Sequence, residues 1–307
     1  MINNMLNSIH DKIKAGDVGK AMEHLIIELK EVRSSLEESE WKSVVKTCLQ
    51  HPLKEIIHAD PFTCRSYEKP RGYTGDAILL DMIYSPKSFE LENISDVGKQ
   101  IFKYTTNAPA CKAVKSRKDI LADIIDETAD KFDEPKIMSV ACGHLREAEI
   151  SSAIKNRAFS KFIAIDYDKS SLSHIEKTYS NGSNIVPLHL SVRDILNEEI
   201  NFGNDFELIY SAGLYDYLDQ KTAKKLTAIL FDMLSPKGQL LIANFLPDIQ
   251  DIGYMEAYMG WYLIFRDEFQ LLDIASEISR KKVEKIEIFS EEMKNIVFLK
   301  LLKNTCQ

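Results

Sequence analysis

The sequence predicts an α/β fold in which a helical region, residues 1–130, precedes an open and mostly parallel sheet within residues 131–307. Apolar residues recur every three or four positions through the first region, as in AMEHLIIELKEVRSSLEE at 21–38, which indicates amphipathic helices. From residue 136 onward, short β-rich runs alternate with helical stretches. That alternation predicts parallel strands that are covered by helices on both faces.

Two further segments and one loop complete the helical region. WKSVVKTCLQHPLKEIIHAD at 41–60 has helical spacing but contains Pro52, which predicts a break. SRKDILADIIDETADKF at 116–132 places apolar residues on one face. The loop RGYTGD at 71–76 has two glycines around a tyrosine. It is either a capped interhelical turn or a segment in which Arg71 and Tyr73 close over a ligand.

Seven runs in the second region are predicted strands. Five of them belong to the alternating series: KIMSVA, KFIAID, NIVPLHL, FELIYSA and GQLLIANF. The last two, VEKIEIF and NIVFLKLLK, are joined only by SEEMK. That connection is too short for a crossover helix, so we expect this pair to be antiparallel.

Charge, hydropathy and cysteine usage exclude several classes of protein. The net charge is −8 and no basic cluster is longer than KSRK, which disfavours nucleic acid as a partner. No window reaches the roughly 18 apolar residues of a membrane span, and the N-terminus lacks the apolar core of a signal peptide. The five cysteines, Cys48, Cys64, Cys111, Cys142 and Cys306, show no CxxC spacing. They indicate neither a disulfide framework nor a metal site, so we expect reduced thiols in a cytoplasmic protein.

The stretch SVACGHLREAE at 139–149 predicts a ligand-binding corner between the first strand and the next helix. Open parallel sheets bind ligands beyond the carboxyl ends of their strands, and small residues at Ala141 and Gly143 let the backbone approach a ligand. A tight strand-to-helix turn explains the same residues without a ligand. His144 is either a proton acceptor or an ordinary loop residue, and Glu147 either binds an ammonium group or favours the helix N-terminus.

The ends of the next three strands carry matching candidates. Asp166 ends the second strand, about 23 residues after Gly143, where a carboxylate accepts hydrogen bonds from both ribose hydroxyls of a nucleoside. Its alternative role, capping the next helix, suits Asp168 better. The third strand is followed by Ser191 and Val192, and the fourth is followed by small residues that allow close backbone approach: Ser211, Ala212 and Gly213.

In this order, the features resemble the class I methyltransferase variant of the Rossmann-like architecture, with strand order 3-2-1-4-5-7-6 and strand 7 antiparallel. The family's GxGxG segment corresponds to Ala141, Gly143 and Leu145, so two glycines are missing, and LSPKGQLLI is similar to LxPGGxLLI. The resemblance implies S-adenosyl-L-methionine (SAM) as cofactor, with Arg117 and Arg146 as rival partners for its carboxylate. The implied cofactor-binding residues are Tyr73, Ala141, Cys142, Gly143, His144, Glu147, Asp166, Tyr167, Ser191, Val192, Ser211, Ala212 and Gly213.

Four longer stretches resemble a narrower group. They are EKPRGYTGDAILLDMIY at 68–84, APACKAVKSRKDIL at 108–121, CGHLREAE, and YSAGLYDYL with NFLPDIQDIGYMEAYMGWYLIFR behind it. From about residue 60 onward, the chain is similar to bacterial methyltransferases related to the enzyme that makes 3-hydroxy-fatty-acid methyl ester quorum signals. The resemblance implies methyl transfer to oxygen rather than any one acceptor.

We therefore predict an O-methyltransferase that moves the methyl group of SAM to an oxygen, a carboxylate of a small hydrophobic acceptor such as a hydroxy fatty acid. Tyr215, Asp216 and Arg71 are the predicted catalytic residues. The predicted acceptor wall, or alternatively an ordinary packed amphipathic helix, comprises Tyr254, Tyr258, Trp261 and Tyr262.

Two alternatives come from other classes. The missing glycines favour a non-catalytic SAM-binding regulator whose helical half binds a protein partner. An RNA methyltransferase is disfavoured by the acidic balance. The first 55 residues either cover the site or pair two chains as a homodimer.

Overall fold

The structure is a computed structural model that describes residues 2–179, 182, 184–197 and 200–305, so Cys306 lies outside the described residues. The chain divides into two compact units. Unit 1 comprises Met1–Lys115 and Asp248–Tyr262, and unit 2 comprises Ser116–Pro247 and Leu263–Gln307. The helical unit therefore ends at Lys115, where the sequence predicts a boundary at residue 130, and it also takes in a segment from late in the chain.

Helices account for most of unit 1, and further helices alternate with the strands along the sequence of unit 2. In chain order they are α1 (Ile2–Lys14), α2 (Val18–Ser35), α3 (Glu38–Gln50), α4 (Leu53–Ile57), α5 (Pro61–Glu68), α6 (Ala77–Tyr84), α7 (Asp96–Thr105), α8 (Pro109–Lys131), α9 (Ser152–Lys155), α10 (Lys169–Tyr179), α11 (Val192–Leu196), α12 (Gln220–Asp232), α13 (Ile252–Tyr258) and α14 (Glu268–Asp273). The predicted break at Pro52 is confirmed, because α3 ends at Gln50 and α4 begins at Leu53. No helix in the described part of the chain combines the length and apolar character needed to cross a membrane.

Close packing of α13 explains why segment 248–262 belongs to unit 1. This helix packs against α2 and α3. A Cβ on Gly253 would stand 2.5 Å from the backbone of Leu29, so the absence of a side chain permits the approach. The contact is fixed by polar bonds to Glu256, which accepts from Trp41 Nε1 at 2.5 Å and from Arg33 Nε at 2.8 Å.

The sheet of unit 2 has seven strands in the order β3-β2-β1-β4-β5-β7-β6. The strands are β1 (Lys136–Val140), β2 (Lys161–Asp166), β3 (Ile185–His189), β4 (Phe206–Ser211), β5 (Leu234–Phe245), β6 (Val283–Ser290) and β7 (Ile296–Lys303). The first five pair in parallel, whereas β7 is antiparallel to both of its neighbours. This arrangement confirms the predicted Rossmann-like class I methyltransferase sheet.

One local expectation needs correction. The sequence predicts that the fifth strand begins with GQLLIANF at 238–245, whereas β5 already begins at Leu234 and includes LSPKG. The pairing of β4 with β5 is irregular there, and Lys237 has a left-handed φ of 65°. A Cβ on Gly238 would lie 2.5 Å from the carbonyl oxygen of Phe206, so glycine lets the bulged segment stay within the sheet.

The order of the strands defines the position where a ligand is expected. Strand β1 pairs with β2 on one side and with β4 on the other, so successive connections leave the sheet in opposite directions at this point. A crevice forms at such a switch, beyond the carboxyl ends of the strands. The residues that follow β1, β2, β3 and β4 therefore meet along one edge of the sheet.

Candidate functional site

The corner after β1 adopts the backbone of a three-glycine turn with a single glycine. Ala141, Gly143 and Leu145 have left-handed φ angles of 58°, 55° and 55°. For a residue with a side chain, this conformation costs about 1–2 kcal/mol, and such strain persists only where the surroundings hold it in place. Hydrogen bonds hold the corner, since Cys142 N donates to Ile165 O and Leu145 N donates to Cys142 O, each at 3.0 Å.

Asp166 joins this corner to the end of β2. Its Oδ2 accepts from Gly143 N at 2.8 Å, and its Oδ1 accepts from Asp168 N at 2.8 Å. Burial raises the pKa of Asp166 above its ordinary value, and the backbone hydrogen bonds oppose the rise. Each carboxylate oxygen carries a further lone pair, so Asp166 can still accept hydrogen bonds from two ribose hydroxyls. Helix capping falls to Asp168 as expected, because its Oδ1 accepts from Ser170 N at 2.9 Å.

Arg117 is a buried cation at the same edge. Its side chain lies in the unit 2 part of α8, and the residue is 5% exposed. Within the described residues, the guanidinium makes no hydrogen bond or ion pair, although its charge lowers the pKa of both Glu147 and Asp216. Its Nη1 lies 4.0 Å from the point where a Cβ on Gly213 would stand. A buried cation without a hydrogen-bonded anion is costly, so this group is prepared to receive one.

The rival cation, Arg146, is committed elsewhere. Its guanidinium forms an ion pair with the carboxylate of Glu149, three residues along the chain. Both residues lie in a short 3-10 turn, Arg146–Glu149, that follows the corner. Glu149 is exposed, and the pair is therefore one of those surface contacts that contribute little to stability or to ligand binding.

Glu147 belongs to the same 3-10 turn but is directed inward and is buried. Its Oε1 accepts from the hydroxyl of Tyr210, a residue of β4, at 2.6 Å. Burial raises the pKa of Glu147, whereas the bond from Tyr210 and the charges of Arg117 and Lys118 lower it. The site therefore contains a buried anion beside a buried cation.

The sequence analysis does not single out Tyr210, because this tyrosine looks like an ordinary residue of an apolar strand.

Asp216 follows β4 and is buried. Its Oδ1 accepts from Phe245 N at 2.8 Å, and its carbonyl accepts from Ile264 N at 2.7 Å. Burial raises the pKa of Asp216 to about 7, despite the opposing charges of Arg117 and Arg266. A carboxyl group with this pKa changes protonation state near neutral pH, which suits a proton acceptor or donor.

Tyr215, the other predicted catalytic residue after β4, is fully buried. Its hydroxyl lies 3.0 Å from Oγ1 of Thr227 on α12, and burial raises the pKa of its phenol. The phenol is thus occupied in the core between α12 and the sheet. Of the two neighbours, Asp216 is the better candidate for chemistry.

Arg266 fixes the loop after β4 and was missed as a site residue. Its Nη1 donates to the carbonyl of Tyr215 and to Asn244 Oδ1, both at 2.7 Å. Its Nη2 donates to the carbonyl of Leu218 at 2.5 Å, and its Nε donates to Gln220 Oε1 at 2.9 Å. The signal in the sequence that could have identified Arg266 is its position as a charged residue at the end of the apolar run GWYLIFR. Because its donors are used within the protein, its role is to hold the loop.

The remaining cofactor candidates of unit 2 show a mixture of free and occupied groups. Tyr167 is 71% exposed at the end of β2, with its ring centroid 5.8 Å from that of His189, so it offers an aromatic face to a base. Ser191 caps α11 in a capping box with Asp194, and Val192 is the first residue of that helix. The capping box uses the side chains of Ser191 and Asp194 within the protein, so the backbone at Val192 is the remaining candidate for contact with a ligand.

Three side chains of the corner and of β4 are engaged inside unit 2. Ser211 Oγ donates to the carbonyl of Val140 at 2.9 Å and so ties β4 to β1. Cys142 is buried, and burial raises the pKa of its thiol. The ring of His144 stacks on that of His174 with a centroid distance of 4.2 Å, which agrees with the reading of His144 as a loop residue. Ala212 and Gly213 follow β4 directly and lack bulky side chains.

The candidates near RGYTGD belong to unit 1. Arg71 and Tyr73 lie in the loop between α5 and α6, where Tyr73 is exposed. Asp76 caps α6 through Leu79 N and pairs with Arg65 at 2.6 and 3.0 Å. The capped-turn interpretation therefore accounts for Asp76, whereas Arg71 and Tyr73 stay candidates for ligand contact.

The predicted acceptor wall also belongs to unit 1. Tyr254 is buried with its hydroxyl 2.7 Å from Thr63 Oγ1, and Tyr258 is buried with its carbonyl 2.9 Å from His58 Nε2. These two tyrosines occupy the positions of a packed helix face, which the sequence left open as an alternative. Trp261 is also buried, and Tyr262 is the accessible member of the set.

Comparisons with known proteins agree with the fold. No protein-family model matches the sequence, and no curated protein matches it either. Among solved structures, a protein of Bordetella parapertussis described as a possible exported protein superposes with a TM-score of 0.61 at 14% identity, covering 75% of this chain and 79% of its own. The N-methyltransferase NodS of Bradyrhizobium japonicum, in complex with S-adenosyl-L-homocysteine, gives 0.46 at 12% identity, covering 72% and 98%. Magnesium protoporphyrin IX methyltransferase of Synechocystis gives 0.47 at 10%, covering 64% and 87%. At 14% identity, the similarity to the Bordetella protein concerns the fold alone.

Proposed function

We propose that the protein is a SAM-dependent methyltransferase. The observation that carries the proposal is a set of charged side chains at the carboxyl edge of the sheet in unit 2, of which Arg117 and Glu147 are buried and Asp166 is half-buried. SAM presents a carboxylate, an ammonium group and a ribose diol. These three groups require a cation, an anion and a second anion with spare lone pairs, which are the three kinds of side chain found here.

Each residue has a defined role in this proposal. The guanidinium of Arg117 binds the carboxylate, because a planar guanidinium forms paired hydrogen bonds with a carboxylate. Glu147 binds the ammonium group, and Asp166 accepts from the ribose hydroxyls while it holds Gly143. Tyr167 offers its ring to the adenine, and the backbone at Val192 is available to the base edge. The residues present therefore fit the cofactor.

The proposed reaction is transfer of a methyl group to an oxygen of a small hydrophobic acceptor, in particular a carboxylate. Bound SAM supplies a methyl carbon on a cationic sulfur leaving group, so alignment with the attacking oxygen is the main task of the protein. A carboxylate acceptor releases no proton on methylation. Asp216 in its protonated form donates a hydrogen bond to such an acceptor, whereas for a hydroxyl acceptor its ionised form takes the proton. The resemblance stated above supports oxygen as the acceptor atom.

Titration calorimetry with SAM and S-adenosyl-L-homocysteine tests the cofactor assignment. Asp166→Ala should weaken binding by about 1.5–3 kcal/mol, the range for hydrogen bonds to a charged group. Asp168→Ala is the matched control, because the side chain of this neighbouring acid caps α10, whereas its bond to Asp166 comes from the backbone N–H and is kept in the variant. If the wild-type protein binds neither nucleoside at high micromolar concentration, the proposal is wrong. Methyl ester formation with a panel of fatty and hydroxy fatty acids then tests the acceptor.

A non-catalytic SAM-binding regulator is the competing function, and the replaced glycines at Ala141 and Leu145 are its support. The corner nevertheless keeps left-handed backbone at both positions, so replacement of glycine did not change the turn. A regulator would bind the cofactor without product formation from any acceptor. We further propose a cytoplasmic protein, since the four described cysteines carry free thiols.

A further inference from the structure

A chain of three buried polar side chains crosses the centre of the sheet and ends at the proposed cofactor site. Ser139 of β1 and Tyr210 of β4 are direct partners in the parallel pairing of these strands, and each is 2% exposed. Partners in adjacent strands project from the same face of a sheet. The side chain of Ser139 lowers the pKa of the Tyr210 phenol, as a hydrogen-bond donor does, and the phenol donates to Glu147 Oε1 at 2.6 Å.

This chain has a fixed direction. The phenol has one hydrogen, which is used on Glu147, so it can only accept from Ser139. Burial and the charge of Glu147 raise the pKa of Tyr210 far above neutrality, so the phenol stays a donor over the physiological range. The row of side chains therefore ends with the Tyr210 hydroxyl as a hydrogen-bond donor to Oε1 of Glu147. Within the described residues, Tyr210 is the one other side chain that donates a hydrogen bond to the carboxylate of Glu147, and the backbone N–H of Glu147 itself also acts on it.

An apolar residue would serve packing better than Tyr210 at this place. Polar groups buried in the centre of a sheet are costly unless they are hydrogen-bonded, and phenylalanine fills nearly the same volume without a hydroxyl. The tyrosine, the serine and the buried glutamate are useful together only if the carboxylate of Glu147 must be held ionised in one orientation. The nearby cation Arg117 has no anion of its own and completes the arrangement.

Resting on the function proposed above, we infer that Tyr210 is a positioning residue for the amino-acid end of the cofactor. Its hydroxyl fixes Oε1 of Glu147, so that Oε2 accepts from the ammonium group of SAM while Arg117 binds the carboxylate. The protein thereby recognises the zwitterionic tail as a unit.

The arrangement makes cofactor binding sensitive to pH through Glu147. The groups that act on this carboxyl are Arg117 and Lys118 from α8, Tyr210 from β4, Cys142 from the corner and Tyr179 from α10. Burial raises the pKa of Tyr179 to about 12 and the pKa values of Tyr210 and Cys142 well above their ordinary values, so these three groups stay neutral near pH 7. Loss of the Tyr210 hydroxyl removes the hydrogen bond that lowers the pKa of Glu147 against the effect of burial. Glu147 then protonates at a higher pH, and binding weakens from a higher pH as the solution is acidified.

The test is Tyr210→Phe, which keeps the ring in the core. We expect S-adenosyl-L-homocysteine to bind about tenfold or more weakly at pH 7. The pH at which affinity begins to fall on acidification should move upward relative to wild type. Binding of 5′-methylthioadenosine, which keeps the nucleoside and lacks the amino-acid tail, should not change. Ser139→Ala should show a smaller effect in the same direction, and Tyr104→Phe in unit 1 is the matched control.

The possible outcomes separate this inference from the proposed function. If the wild type binds neither ligand, the function itself is wrong and the inference falls with it. If the wild type binds and Tyr210→Phe binds the homocysteine ligand with unchanged affinity and pH dependence, only the inference is overturned. Equal weakening of both ligands would also overturn it, because that result indicates general damage to packing. Should Tyr210→Phe fail to fold, Ser139→Ala decides by the same comparison, and an unchanged pH dependence there counts against the inference.

Discussion

Replacement of Arg117 by methionine should separate a ligand-binding cation from a structural one. The guanidinium is buried and, within the described residues, makes no hydrogen bond or ion pair. Exchange of a poorly compensated buried ion for an apolar side chain of similar length is often neutral or stabilising by about 1–4 kcal/mol. We therefore expect Arg117→Met to fold and, without ligand, to unfold at the same or a higher temperature than wild type.

The stability gain should depend on pH, because Arg117 lowers the pKa of Asp216 and of Glu147. Burial already raises both pKa values above those of the unfolded chain, Asp216 to about 7. A raised carboxyl pKa favours the folded state at acid pH, and that contribution is lost as the pH rises through the folded value. Removal of the guanidinium in Arg117→Met raises the pKa values of Asp216 and Glu147 further. The advantage of Arg117→Met over wild type should thus be largest near pH 5 and should shrink above pH 7.

Ligand binding should change in the opposite sense. Loss of a charged hydrogen-bonded pair of about 1.5–3 kcal/mol raises Kd by roughly 10- to 150-fold. At a ligand concentration of 100 times the wild-type Kd, S-adenosyl-L-homocysteine stabilises the wild type by about 2.7 kcal/mol. The same concentration should stabilise Arg117→Met by only about 0.3–1.4 kcal/mol. Thermal unfolding with and without ligand measures both effects in one series.

Arg146→Met is the matched control, since its side chain pairs with Glu149 at the surface, and its ligand-induced shift should equal that of wild type. An undiminished ligand-induced shift in Arg117→Met would refute the assignment of the carboxylate. A free energy of unfolding that is lower by about 3–5 kcal/mol in Arg117→Met without ligand would also refute the assignment, because that is the cost of breaking a buried ion pair. Arg117 would then be the structural counter-ion of Glu147 and Asp216.

Two further predictions concern stability alone. Ala141→Gly should stabilise unit 2 by about 0.5–1 kcal/mol, because relief of the strain at the left-handed φ of 58° exceeds the entropy cost of glycine. Chemical unfolding measures this difference. A destabilised variant would show that the strain is absent. Asp251→Asn should make unit 1 more stable than wild type at pH 8 but not at pH 4. Burial raises the pKa of Asp251 from 3.8 to about 6, and its Oδ1 has no partner among the described residues, so ionisation costs roughly 3 kcal/mol at most. Equal differences in melting temperature at both pH values would contradict this reasoning.

The sheet could be predicted because its evidence is local. Strand identity follows from short apolar runs, and the direction of the last pair follows from the five-residue SEEMK connection. The assignment of segment 248–262 to unit 1 depends instead on α13 fitting against α2, where Gly253 meets Leu29. Those residues are more than two hundred positions apart, and no periodicity in either segment reports their contact.

The contacts within the candidate site were predictable where a residue's position at a strand end determines its neighbours. Asp166 and Gly143 are of this kind, and they are joined by a hydrogen bond. The choice between Arg117 and Arg146 could not be made from sequence, because both are arginines near predicted helix ends and only burial distinguishes them. Tyr210 was overlooked for a related reason. A polar residue within an apolar strand carries information only when its partner, here Glu147, is known.

The corner after β1 shows that the constraint on this site is a backbone conformation rather than a residue type. Leu145 is completely buried and has a left-handed φ. Burial of a leucine side chain contributes about 1.5–3 kcal/mol, which offsets the 1–2 kcal/mol of strain. Ala141 has no such compensation and is held by its neighbours, among them the bond from Gly143 N to Asp166. A pattern based on three glycines therefore misses a turn that the chain still makes, because side-chain burial and the acid at the end of β2 replace what glycine would otherwise provide.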